Sequence, residues 1–437
     1  MILTLDVRRA RKGDCLLLHY GTKDKPKLMM IDGGPSDVFK PQLRPRLVEI
    51  RKARHLGGND TLDVEAVMVS HIDDDHINGI LNLTKELTTA QKDGEAQFLS
   101  SKSLWHNSFD DLLKTTPKEL VEAGFGPAQV TAALDTALDA DSLTGFKVLA
   151  SVQQGSQLRD DAAFLNQAGF GWTVNDLADG KLILADKNTK AKKIDGGLSV
   201  TVVGPLKPEL IRLQEEHDKY LKAKKAGKPE APAMLAAYVD ESVPNLSSLV
   251  MLVELGGKTI LLTGDARGDN IIKGLKLTGK LGAGANAKLK VDILKVPHHG
   301  SANDLEIGFF KQIVADHYVF SGNGEHGNPE RESIQMLLDA RPNDTFTMYF
   351  TYPIDDIDTG RKADWEKEQK KEKAKLAAQM KEKPKPKKLQ KVRANWKAST
   401  NGLGALLDQD DAAKHRIKVI AADGKGHLIE LLDAIGF

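Results

Sequence analysis

Between Val69 and Gly79 the chain reads VSHIDDDHING, and its centre from His71 to His76 holds two histidines and three aspartates. Carboxylates and imidazoles crowded into one short loop repel one another and resist desolvation, and a bound cation is the simplest neutraliser. The run before it, VEAVMVS, is continuously apolar, as in a strand buried on both faces. After it, INGILNLTKEL sets Ile77, Ile80, Leu81 and Leu87 at helical spacing. The acidic cluster therefore falls in a strand-to-helix loop, with Asp75 and His76 near the helix N-terminus. Taken alone, the segment also fits a polar turn whose aspartates cap the helix.

Two later stretches favour the cation. ILLTGDARGD puts Asp265 behind an apolar strand and a glycine, where a lone carboxylate is costly. LKVPHHGSAND does the same with His298 and His299, followed by Gly300 and Ser301. Metal-dependent hydrolases gather imidazole and carboxylate ligands from several loops and leave a position for water. By spacing, His71 and Asp73 reach one ion, and Asp75 with His76 reaches a second.

HIDDDH, TGD and KVPHHGS, with the opening LDV…GDCLLLHY…MMIDGG, together resemble the metallo-β-lactamase fold. Within it the chain most resembles the soluble hydrolase domain of ComEC/Rec2-type competence proteins. The resemblance covers strand blocks at 1–81, 198–206 and 245–350 and the C-terminal hairpin. It implies an α/β fold, a four-layer αββα sandwich with two divalent metal ions (Zn2+ or Mn2+) at one edge between the sheets. Carried over by position, His71 and Asp73 bind the first metal, Asp75 and His76 the second, Asp265 bridges both, and His298 completes a site. Asp32, in the strand-end DGG loop, lies beneath and hydrogen-bonds the ligands.

The chain departs from the commoner pattern in three places. Asp73 stands where a histidine is usual, which hardens the first site towards manganese or iron without excluding zinc. Only His106 and His217 lie where a further histidine ligand is usual, so His298 or His299 is left to serve the first metal. In SGNGEHGNPE the usual histidine is Asn328, with His326 two residues earlier, in reach to bind metal or protonate a leaving group. Asp75, Asp265, His299 and His326 are thus the expected catalytic groups, with Ser301 or His299 beside the departing oxygen.

Composition bounds the rest. The 437 residues carry a net charge of +1, with 41% hydrophobic content and one cysteine, Cys15, in an apolar run. A lone thiol there reads as a core residue, early arginines argue against a secretory signal, and no apolar run approaches membrane-spanning length. A reducing, cytoplasmic location is expected. The chain reads as a single domain, 1–437, with a helical insertion at 88–196 and a closing hairpin at 398–437. Residues 361–397 form a Lys-rich, flexible or helical insert with fifteen basic against five acidic residues, a local excess of ten. It reads as a solvated excursion, a phosphate-attracting arm or a protease-sensitive linker.

The leading functional expectation is a metal-dependent phosphodiester hydrolase, a nuclease using metal-bound hydroxide. Its partner is nucleic acid or another phosphodiester, a protease acts on the Lys-rich insert, and the setting is bacterial defence. The alternatives are a hydrolase of a small phosphoester, cyclic nucleotide, lactone or thioester, and a non-catalytic nucleic-acid-binding protein on the same fold.

Overall fold

The computed structural model describes residues 1–108, 140–211, 247–381, 388–409, 417–422 and 424–437, with isolated positions 215, 219, 222 and 226, and only the backbone over 140–153. Short runs such as ILTLDVR and LLLHYG are buried along their whole length and form strands covered on both faces.

One sheet holds seven strands: β1 (Ile2–Arg8), β2 (Leu16–Gly21), β3 (Pro26–Ile31), β4 (Leu62–Met68), β5 (Leu99–Trp105), β6 (Gly171–Val174) and β15 (Gly426–Glu430), in the order β15-β1-β2-β3-β4-β5-β6. The other holds eight: β7 (Lys192–Lys193), β8 (Ser199–Gly204), β9 (Val250–Leu255), β10 (Lys258–Leu262), β11 (Leu289–Lys295), β12 (Ile313–Phe320), β13 (Phe346–Phe350) and β14 (Ile417–Ala421), ordered β14-β13-β12-β11-β10-β9-β8-β7. Both are mixed, with antiparallel pairing at β1–β2–β3 and β8–β9–β10, and parallel pairing from β3 to β6 and from β10 to β14.

Alternate residues of the strands sort into layers. Leu3, Leu5 and Val7 share one core with Val253, Ile260 and Ile293 of the other sheet. On the outer face of the first sheet, Cys15, Leu17 and Met30 pack with α1 (Arg44–Ala53), α2 (Asp74–Lys92) and α3 (Ala140–Gln167). On the outer face of the second, Leu261, Leu294 and Phe320 pack with α4 (Gly268–Leu277), α5 (Ile307–Gln312) and α6 (Arg331–Ala340). The result is the αββα sandwich. No helix among the described residues is long and apolar enough to cross a membrane.

Two expectations change. RIKVIAADGKGHLIELL does not close as a hairpin: β14 pairs in parallel with β13, while β15 pairs antiparallel with β1 in the opposite sheet. The apolar alternation and central glycines that signal a hairpin serve equally for a chain crossing between sheets. The region 88–196 is not a helical insertion throughout, because β5 and β6 extend the first sheet and β7 edges the second. Serines and a lysine in LSSKSLW masked β5, although its alternate positions are buried. In the Lys-rich stretch, α7 (Ile354–Lys381) begins before it, and the returning segment is hydrogen-bonded along it, as from Trp365 Nε1 to Ala394 O at 2.8 Å. Most of KPKPKK, and His217, lie outside the described residues.

The strand-end loops meet at close backbone contacts. A Cβ on Gly79 would sit 1.9 Å from the Gly33 carbonyl oxygen, so α2 approaches the loop after β3 only because both positions are glycine. Gly79→Ala is expected to lower stability by roughly 1–3 kcal/mol through overpacking, whereas Gly58→Ala, with nothing within 4 Å of its added methyl, should not. Urea midpoints of the two variants test this, and equal midpoints would refute the contact.

Candidate metal centre

Parallel strands deliver their C-terminal ends to one edge of the sandwich. There β3 leads to Asp32, β4 to His71, β10 to Asp265, β11 to His298 and His299, and β12 to Ser321. Asp32, His298 and His299 have left-handed backbone (φ 56°, 47° and 53°), a cost that non-glycine residues bear where surrounding contacts fix them.

Asp265, almost fully buried, is the hub. Its Oδ1 lies 3.3 Å from His76 Nε2 and 3.5 Å from His299 Nε2. Its Oδ2 lies 3.8 Å from His71 Nε2 and 3.6 Å from His298 Nε2. The His76 and His299 Nε2 atoms are themselves 3.3 Å apart. Each of these four imidazoles is held from behind by its Nδ1. Ser70 Oγ reaches His71 Nδ1 at 3.0 Å, Asp32 Oδ2 reaches His76 Nδ1 at 2.9 Å, Asp304 Oδ2 reaches His298 Nδ1 at 2.5 Å, and Ser321 Oγ reaches His299 Nδ1 at 2.9 Å. Holding Nδ1 turns Nε2 inward, the arrangement that orients imidazoles around a metal. Asp32 is anchored in turn by the Ser70 amide and hydroxyl, each donating at 2.7 Å.

Behind His299 stands a buried ion pair. Ser321 Oγ donates to Asp14 Oδ1 at 2.5 Å, and Lys295 Nζ lies 2.7 Å from Asp14 Oδ2, with both charged side chains about 1% exposed. Asp14, His76, Asp265 and His299 each place a potential ligand atom within 4.8 Å of the others, a buried group able to hold a metal ion. Asp14 and Asp304 were missed by sequence reasoning. Both sit inside quoted motifs, GDCLLLHY and HHGSAND, but neither has the spacing of a ligand.

The other expected residues fall around this shell. Asp73 Oδ2 is 3.7 Å from His71 Nε2, and its side chain remains 34% exposed at the mouth. Asp75 is half-buried, and its carbonyl accepts the Asp14 amide at 3.3 Å. Its carboxylate perturbs Asp73 and His298 electrostatically without forming an ion pair with any of the four imidazoles. His326 is exposed and meets Lys12 Nζ at 3.3 Å. His106 is buried at the end of β5, with its amide donating to Asn175, and is not one of the four imidazoles around Asp265.

Electrostatics follow this geometry. Burial opposes ionisation of Asp265, but His299, His76 and His298 hold it well below the usual carboxylate range. Burial also disfavours charge on the imidazoles, yet Asp265 and Asp32 raise His76, and Asp265 and Asp304 raise His298 to about 9. His71 goes the other way, depressed by burial and by His76. Desolvation, Asp75 and Asp265 push Asp73 up to about 7, with its partial exposure moderating the effect.

Asp265 Oδ1 and His71 Nε2 are buried without hydrogen-bond partners. A fully buried acceptor and an inward-facing imidazole nitrogen, both unsatisfied, fit a divalent cation that takes their lone pairs.

No family model matches the chain. ComE operon protein 3 of Bacillus subtilis (strain 168) is 30% identical over 111 residues, covering 25% of this chain and 12% of that protein. The chain thus matches about an eighth of that relative's length, a distant and partial similarity. The two mixed sheets and the buried His/Asp cluster are consistent with the metallo-β-lactamase fold.

Lys295→Met is expected to cost about 3 kcal/mol or more, because it strands the Asp14 charge in the interior. Lys295→Met combined with Asp14→Leu should recover part of that loss. Denaturant unfolding of both proteins measures it, and identical losses would show that the stranded Asp14 charge is not the source of the destabilisation.

Proposed function

We propose that the chain is a metal-dependent phosphodiesterase acting on nucleic acid, with two divalent ions, zinc or manganese, held about Asp265. The observation that carries this reading is the division of labour within one carboxylate: Oδ1 faces His76 and His299, and Oδ2 faces His71 and His298. On this reading His71, His298 and the partly exposed Asp73 hold one ion, while His76 and His299, backed by Asp14, hold the other. Divalent ions bound there supply Lewis acidity towards a phosphate oxygen and an activated water.

The chain's own residues do the remaining work. Ser70, Asp32, Asp304 and Ser321 fix the imidazole rings, so little reorganisation accompanies binding. Lys12 and the exposed His326, 3.3 Å apart, offer positive charge and donors to a neighbouring phosphate. The Lys-rich arm beginning on α7 adds a local excess of ten positive charges that draws a polyanion by long-range attraction. The partial likeness to ComE operon protein 3 supports a hydrolase of this fold without specifying its substrate.

The reading is tested with bis-p-nitrophenyl phosphate, plasmid DNA, RNA and nitrocefin, each with manganese or zinc. Phosphodiester cleavage should exceed nitrocefin hydrolysis. Asp265→Asn should lower both bound metal and phosphodiester turnover at least a hundredfold, as expected for the loss of about 3 kcal/mol of transition-state stabilisation, with an unchanged circular-dichroism spectrum. Nitrocefin turnover without phosphodiester cleavage, or full metal content in the variant, would overturn it.

A further inference from the structure

The chain has four tryptophans. Trp105 and Trp172 are buried in the sandwich. The other two, Trp365 on α7 and Trp396 on the returning segment, are partly exposed and line the same cavity of about 300 Å3. Their rings meet edge to face, 5.8 Å apart at 73°. The lining also includes Asn303, Glu330 and His326, from the loops near the metal centre. Glu330 accepts the Ala302 amide at 3.1 Å, and Asp304, next to Asn303, holds His298. The cavity therefore opens beside the loop of the metal centre that bears His298.

Its charges select against some ligands. Arg361 stands over Trp396 at 5.4 Å and Arg393 over Trp365 at 5.1 Å. Both are partly engaged within the protein: Arg361 Nε and Nη1 on the carbonyls of Gly327 and Asn401 and on Asp358, and Arg393 Nε and Nη2 on Glu372. Four carboxylates line the cavity, Glu330, Glu332, Asp364 and Glu368, against these two guanidiniums and His326. The excess of carboxylates disfavours a phosphate, and two guanidiniums already over the aromatic rings disfavour a second cation. A flat, neutral ring bearing N–H donors satisfies both conditions.

We propose that this cavity is a nucleobase subsite, which stacks a base of the substrate strand on the tryptophan pair and prefers bases bearing an exocyclic amine over thymine or uracil. Aromatic side chains stack bases of any sequence, and a carboxylate accepts the cytosine N4 amine. Thymine and uracil offer carbonyl oxygens there, which the carboxylates repel. The assignment rests on the phosphodiesterase reading for its substrate, but it is measurable without turnover.

Binding of single-stranded octamers of deoxycytidine and thymidine to the full chain, with metal chelated, is measured by equilibrium dialysis. The phosphates are the same in both octamers, so any difference belongs to the base. The cytidine octamer should bind roughly fivefold more tightly, an advantage that Asp364→Asn should largely remove. Trp396→Ala should weaken both octamers roughly tenfold. Choline is the competing probe: tight choline binding, lost in Trp396→Ala, would make the cavity a cation site and overturn the proposal. So would equal binding of the two octamers to the unaltered chain, or binding unaffected by either substitution. Bis-p-nitrophenyl phosphate turnover, unchanged in both variants, reports separately on the catalytic reading; its absence from the unaltered chain would sink that reading and leave the dialysis result standing.

Discussion

A single buried carboxylate organises the edge of this sandwich. Asp265 sits where desolvation strongly disfavours charge, yet four imidazoles from the segments after β4 and β11 turn their Nε2 atoms towards it. No imidazole reaches it in good hydrogen-bond geometry, and its Oδ1 is left unsatisfied. A protein interior rarely leaves such a group without a partner, and a cation between the carboxylate and the rings resolves the imbalance at once. The same requirement explains the shell behind the rings, where each Nδ1 is occupied and rotation is blocked.

The fold supplies that arrangement through parallel strands and tight backbone approaches. Strands from both sheets end at one edge, so short loops of quite different sequence converge without long excursions. Gly13 packs against the Asp75 carbonyl and Gly79 against Gly33, contacts that a methyl group would break. Crossing of the chain from β14 to β15 ties one margin of the second sheet to the margin of the first. Left-handed backbone at Asp32, His298 and His299 places these side chains at the site, a conformation that non-glycine residues adopt where surrounding structure fixes it.

The base of the Lys-rich arm belongs to this edge as well. Gly324 in the loop bearing His326 packs on the Ile357 carbonyl of α7, and Arg361 bonds the Gly327 carbonyl. The arm is therefore rooted beside the candidate centre rather than tethered at a distance. Trp365, Gln369 and Glu372 of α7 bind the returning segment with several hydrogen bonds. A highly charged sequence can thus be ordered at its root while most of its lysines remain solvated.

Local pattern determined a good deal by itself. The run VEAVMVS followed by a charged cluster and helical spacing was enough to place His71 and Asp73 in a strand-to-helix loop and His76 near the helix N-terminus, because periodicity reports which faces are buried. TGD and HHGS likewise put Asp265, His298 and His299 behind apolar strands. Tertiary structure alone decided how these groups share one carboxylate, since the pairing of Oδ1 and Oδ2 depends on contacts between residues some two hundred positions apart. It alone brought Asp14 and Lys295 together beneath His299, a pairing across 281 positions between residues of ordinary local appearance. The serines of β5 and the separate destinations of β14 and β15 were hidden for the same reason. Alternation records that one face is covered, but which strand lies alongside is set by long-range packing that no local window contains.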